Sequence, residues 1–179
     1  MNYSESDVQK LANALAVIND LLPDSKDGLP DEVFYLVSRL TPLINVDLLI
    51  VNEQNQKLLT WRNDQFYGPG WHIPGGIIRF KELAETRISK VAALELGVTV
   101  SCDNRPLVIR EVMNPNRDVR GHFISMVYKC KLSRQPPMAN SAPTSGSILN
   151  GQWRWFSSMP QNMIKQHLQF EELINQIEY

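Results

Sequence analysis

Very little in this chain of 179 residues reaches outward through charge or long apolar stretches. Its formal net charge of −1 supplies no bulk attraction for nucleic acid or an anionic membrane surface. No apolar run approaches the roughly 18 to 20 residues that a membrane-spanning helix needs. The opening residues, MNYSESDVQKLANALAV, lack the basic start and continuous apolar core of a secretory signal. The two cysteines, Cys102 and Cys130, have neither zinc-ligand nor redox-motif spacing, so small buried residues are expected rather than a disulfide. These absences lead us to expect a soluble cytoplasmic protein without nucleic-acid or membrane partners. The length suits one domain, or one domain with a terminal appendage.

What is present concentrates between Gly68 and Val98, GPGWHIPGGIIRFKELAETRISKVAALELGV. The paired glycines Gly75 and Gly76 read as a turn where backbone carbonyls can approach a ligand, and the open start of the following helix favours anions. Counted at about 100° per residue, Ala84, Ile88, Val91 and Ala92 all fall within about 60° of Glu95. Glu95 therefore sits on the packing face of its helix, and Gly97 supplies a left-handed stop just beyond it. A bare carboxylate in apolar surroundings costs several kcal/mol or takes up a proton, so it needs a cation, a metal or strong donors.

Around this segment the chain alternates helix and strand. Ser4 to Leu22 reads as a helix capped by Ser4 or Ser6, with Val8, Leu11, Leu15, Val17 and Ile18 near one side, and its expected role is a packing appendage. After a connector, Pro23 to Gly28, a second short helix runs from Pro30 to Leu40 and buries Val33, Phe34, Leu36 and Val37. Val46–Asn52 and Lys57–Asn63 form a hairpin. Within it Asp47 interrupts an apolar strand, while Arg62 alternates with Thr60 and Leu58 and so points to the same side as they do. Pro106–Met113, Gly121–Leu132 and Gln152–Phe156 are strand-like. The stretch from Arg134 to Gly151 reads as a mobile loop over the site. Pro160–Ile177 reads as a closing helix.

Gly76, five residues, Glu82, seven residues, then Lys-Val-Ala-Ala-Leu-Glu-Leu-Gly-Val resembles the signature box of the Nudix hydrolases. Gly76, Glu82, Ala92, Glu95, Gly97 and Val98 match that box; Lys90 stands for its arginine, and Val91 and Leu94 replace two of its acids. Retention of the last glutamate alone, in Leu94-Glu95-Leu96-Gly97, is similar to the GDP-mannose mannosyl hydrolase branch. Thr41-Pro42-Leu43, Asp47-Leu48 and Ile50-Val51-Asn52 also resemble that branch, over roughly residues 29 to 156.

The resemblance implies a three-layer α/β/α sandwich with a mixed sheet, residues 43–179, preceded by an N-terminal helical extension, residues 1–42. It further implies Mg²⁺, with Mn²⁺ as an alternative, held by Glu95 and the carbonyl of Gly75. The substrate would be a nucleotide sugar such as GDP-mannose or GDP-glucose, contacted by Asp47, Arg62 and Arg79 and cleaved to GDP and free sugar, with Arg62 catalytic. The branch's metal-binding glutamine and catalytic histidine fall on Leu149 and Asn150, so the base passes to His122, with Glu111 and Glu82 as other acids. Lys90 is expected in a structural ion pair, and a homodimer is implied. An ordinary Nudix pyrophosphatase, or a nucleotide-binding module weakened in catalysis, are the competing expectations.

Overall fold

Strand β1, Leu43–Val51, organises the molecule because its two faces are sorted by chemistry. Val46, Leu48 and Ile50 enter one apolar cluster with Ile88, Val91, Ala92 and Leu96. Leu49 and Val51 enter a second cluster with Phe170 and Ile174. Alternation along one strand thus places a helix on each side of the sheet, as an α/β/α sandwich requires. The computed structural model describes residues 3–22, 24 and 28–179, and the expected connector at Pro23 to Gly28 lies largely outside them.

Among the described residues eight strands form one mixed sheet. β2 is Lys57–Arg62, β3 Gly70–His72, β4 Gly75–Ile77, β5 Val100–Cys102, β6 Val108–Met113, β7 His122–Leu132 and β8 Trp153–Phe156. β7 runs parallel to β1 from Leu43↔Phe123 to Ile50↔Cys130, while β2 and β4 are antiparallel to it. β1 and β2 pair at Ile50↔Leu58 and Val51↔Lys57. Beyond these residues β1 pairs with β4, at Asp47↔Gly75, and β2 with β3, at Thr60↔His72. The double glycine is therefore not a free turn but a short strand on β1.

The helices are α1 (Glu5–Leu21), α2 (Asp31–Leu40), α3 (Ala84–Val91) and α4 (Glu171–Gln176). Ser4 caps α1 by accepting from the Asp7 N–H at 3.2 Å. No residue of α1 is buried, and Val8, Leu11, Leu15 and Val17 are 51–58% exposed. The packing role expected for this helix is corrected accordingly: its apolar side is mostly exposed, with Ile18 alone of the five expected packing residues half-buried. α2 buries Ser38, while Leu36 is exposed.

Three further expectations change. The helix bearing Glu95 is α-helical only to Val91; Ala92–Leu96 forms a π-turn, closed by Gly97 at φ 66°. The expected closing helix begins late, with a 3₁₀ turn at Lys165–Phe170 leading into α4. Ahead of it the backbone at 162–164 is engaged by β3, where Trp71 exchanges bonds with Asn162 and Ile164 at 2.8 Å each, so it cannot also be helical. Cys102 and Cys130 are bonded to each other. They lie 28 residues apart in sequence and become direct cross-strand partners only through the β5–β7 register, which no local spacing reveals. A bonded pair also removes cysteine usage as support for a cytoplasmic setting. No helix among the described residues is long and apolar enough to cross a membrane.

Removing residues 1–22 should cost the isolated protomer less than about 1 kcal/mol, or roughly 2–4 °C in Tm for a domain of this size. Leu48→Ala, in contrast, empties a fully buried position and should cost about 2–5 kcal/mol. Thermal unfolding of both variants checks the contrast, and a large loss on truncation would show that α1 packs.

Candidate active site

The apolar pattern of β1 fails at Asn45 and Asp47, on the same face as Leu49 and Val51. β7 does the same at Ser125, on the face that continues to Val127. These polar positions open a cavity of about 480 Å³, lined by Asn45, Asp47, Ser125 and Phe123 from the two central strands. Asp47 is 2% exposed and accepts from Asn45 Nδ2 at 2.9 Å and from the Ser125 hydroxyl. Burial nevertheless raises its pKa to about 6, outweighing those donors and the field of Arg62.

Glu95 arrives from the other layer. Its carboxylate accepts from the Gly75 N–H at 3.3 Å and from the Thr60 hydroxyl at 3.3 Å, reaching both branches of the divided sheet. The only ion-pair partner near it among the described residues is His72, whose Nε2 lies 3.7 Å away. Burial lifts Glu95 to a pKa of about 7, against the Gly75 and Thr60 bonds, and the charge of Asp47 adds to the rise. The two acids stand on either side of Gly75. A methyl at Gly75 would overlap Asp47 Oδ1 and come within 2.8 Å of the Val46 carbonyl, so only glycine fits.

His72 is buried and donates Nδ1–H to the Thr60 carbonyl at 2.9 Å, leaving Nε2 as an acceptor towards Glu95. Burial, assisted by Arg62, lowers its pKa to about 3, so the ring is neutral. His167 accepts the Ile73 N–H at its Nδ1, 3.1 Å away, and burial also holds it neutral. Both histidines line the cavity. They had no assignable partners in the sequence, because their partners are the backbone of β2 and the residue after β3.

Arg62 and Arg79 line the same cavity. Arg62 is 2.6 Å from Asp64 and 4.5 Å over the Tyr67 ring. His122 is not on the cavity wall: Phe123 and Ser125 face inward, so strand alternation turns His122 outward, where it meets Glu111 at 2.8 Å. That corrects its expected catalytic position and removes Glu111 with it. Asn150 instead accepts the Asn63 N–H at 2.9 Å, and Leu149 is 65% exposed. No residue of 134–151 lines the cavity, and the segment packs beside β8, where the Trp153 indole donates to the Pro137 carbonyl at 3.3 Å. Glu82 is committed to Arg87 at 2.6 Å and Lys90 at 2.9 Å. Burial pushes its pKa up, but the Arg79 N–H, Lys90 and Arg87 outweigh this and hold it at about 2.

Among the described residues no three His, Cys, Asp or Glu side chains converge as a metal cluster. The groups that could hold a cation are Glu95 and Asp47 with the backbone at Gly75. Such a set suits Mg²⁺, which takes one or two carboxylates and completes its shell with water and phosphate.

No family model matches the chain. Over 108 residues it is 30% identical to the low-salt glycan biosynthesis protein Agl8 of Haloferax volcanii, covering 58% of this chain and 68% of that one. This chain belongs to the Agl8 family. Among solved structures, a MutT NUDIX hydrolase from Burkholderia pseudomallei matches at 17% identity and TM-score 0.55, over 75% of this chain and 96% of that chain. A UDP-X diphosphatase matches at 16% identity and TM-score 0.54, over 98% of this chain and 83% of that chain. The fold of this Agl8 relative is therefore the Nudix fold. The second match extends across the helical extension as well as the sandwich.

The raised carboxyls have a consequence for stability. The folded protein holds protons at Glu95 and Asp47 that the unfolded chain has already released. Their contribution is thus most favourable below about pH 4 and is lost as pH rises towards 7. For Glu95 the loss is roughly 3 kcal/mol at most. Metal-free Glu95→Gln should show the smaller part of the wild-type decline between pH 5 and pH 8 in urea unfolding. An unchanged slope would mean that the carboxyl is fully hydrated.

Proposed function

We propose that this protein is a divalent-metal-dependent Nudix hydrolase acting on a nucleoside diphosphate sugar, GDP-mannose or GDP-glucose, and releasing GDP and free sugar. The observation that carries this reading is Glu95: a half-buried carboxylate bonded to the Gly75 N–H, without a cationic partner, beside a cavity that Gly75, Arg62 and Arg79 line. A metal ion held there by Glu95 and the Gly75 backbone would supply positive charge to the diphosphate, leaving Asp47 for proton transfer. Family membership with a protein named for glycan biosynthesis supports a sugar-bearing substrate.

In this reading Arg62 and Arg79 bind the diphosphate. Arg62 stabilises the negative charge that grows on departing GDP when water attacks the sugar carbon. Asp64 and the Tyr67 ring hold its guanidinium in place beforehand. The attacking water must lose a proton to a group facing the cavity; with Asp64 bonded to Arg62 and Asp31 on α2, Asp47, His72 and His167 remain. Asp47, at about 6, is better matched to proton transfer near neutral pH than His72, at about 3. The homodimer implied by the resemblance stays within this reading, with no interface assigned.

The test is a panel of nucleotide sugars with Mg²⁺, scored by product. GDP and free sugar are expected, and Arg62→Gln should lower kcat/KM by about 100- to 1,000-fold, the usual effect of removing one oxyanion donor. Glu95→Gln should lose metal dependence together with turnover. Sugar phosphate plus GMP would replace this reading with an ordinary Nudix pyrophosphatase. Metal-dependent nucleotide binding without turnover would make the protein a binding module.

A further inference from the structure

Helix α2 lies outside the sandwich yet forms a wall of the cavity. Its positions 31, 34, 35 and 38 recur at helical spacing on one side. Asp31, Phe34 and Tyr35 line the cavity, and the Ser38 hydroxyl accepts the Arg120 N–H at 3.1 Å. The Tyr67 hydroxyl donates to the Arg120 carbonyl at 3.0 Å, so Arg120 is pinned on both sides of its α-carbon. It is held there at φ 52°, in the left-handed region that non-glycine residues seldom occupy.

The guanidinium so placed has no ion-pair partner of its own among the described residues; Asp64 acts on it only from its bond with Arg62. Arg62 has Asp64 and Arg87 has Glu82, but Arg120 forms no salt bridge among the described residues. Its Nε is buried without a hydrogen-bond partner. Around it are rings instead: Phe66 at 4.7 Å, with Phe34 and Tyr67 at 5.6 Å. Arg62 shares the Tyr67 ring and acts electrostatically on both Asp47 and Glu95. It therefore stands between the carboxylate end of the cavity and this aromatic end.

Resting on the reading of the site as one for a nucleoside diphosphate, we infer that α2, Phe66, Tyr67 and Arg120 form its nucleobase subsite, and that Arg120 and Asp31 select guanine. Flat apolar ring faces suit a planar base better than they suit phosphate. A guanidinium only donates, and its paired N–H groups match two adjacent acceptors, which guanine offers as O6 and N7. Asp31 lies one turn before Phe34 on the same side and forms no salt bridge among the described residues. Its carboxylate only accepts, complementing the N–H donors on the other edge of guanine. Adenine and cytosine would turn an amino donor towards Arg120, and uracil lacks the adjacent acceptor pair.

Calorimetric titration of the full chain in Mg²⁺ with GDP, ADP, UDP and inorganic pyrophosphate tests the assignment. GDP should bind at least tenfold more tightly than ADP or UDP. Arg120→Met should weaken GDP at least tenfold while leaving ADP and pyrophosphate within twofold. Asp31→Asn, an exposed change that leaves the fold intact, should likewise weaken GDP alone. Equal affinity for GDP and ADP would overturn the base subsite while leaving diphosphate binding standing. So would an Arg120→Met loss shared by pyrophosphate, which would make Arg120 a phosphate contact. If neither pyrophosphate nor any of the nucleotides binds, the nucleotide reading of the whole site falls as well.

Discussion

Everything at the site turns on the absence of one side chain. Gly75 lets β4 lie against β1 so closely that the Asp47 carboxylate occupies the space where a Cβ would project. The same residue offers its N–H to Glu95 from the opposite direction. Two acids, one on the central strand and one on the helical layer packed against it, are thereby brought to a single glycine. Asp47 makes ionisation of Glu95 harder, and burial makes ionisation of both harder again. An arrangement of this kind weakens the empty fold and becomes favourable only when positive charge enters. Such conflict between local stability and local chemistry is what a binding site shows when its ligand supplies the missing charge.

The parts legible in the sequence are those set by periodicity within one element. The helical count put Glu95 on the side of Ile88 and Val91, and the structure brings it against Gly75 even though a π-turn intervenes. Alternation along β1 exposed Asp47 as an interruption. The Lys90–Glu82 pair has the structural character expected of it. What could not be read depends on register between distant strands or on backbone partners. The Cys102–Cys130 bond follows from β5 meeting β7. His72 and His167 are fixed by the Thr60 carbonyl and the Ile73 N–H, and no side-chain motif records either. The residues from Pro160 onward carry a helix-like apolar spacing, but Trp71 claims their backbone first.

The two N-terminal helices separate in the same terms. α1 leaves most of its apolar stripe exposed, so helical spacing alone overstated its packing role. The spacing in α2 reads Phe34 as a packing residue, yet that ring lines a cavity whose other walls come from the sandwich. The difference lies in Ser38, buried and bonded to the Arg120 backbone, which ties α2 to the loop before β7. One hydroxyl therefore converts an extension into part of the site.

Charge accounting also bears on which bond a substrate would lose. Glu82, retained from the box, is ionised, with its pKa held near 2, but its charge is paired with Arg87 and Lys90 rather than offered to a cation in the cavity. Val91 and Leu94 contribute no carboxylate at all; Val91 is buried in the core and Leu94 is 81% exposed. Among the described residues only Glu95 and Asp47 remain beside Gly75, a set suited to one ion rather than a row of them. With one ion, attack at phosphorus loses the several acids that ordinarily position metals and water around it. Stabilising a departing diphosphate needs less: one cation, plus arginines already aimed at the cavity. The proposed cleavage at carbon is thus the reaction that this reduced set of charges is best able to assist.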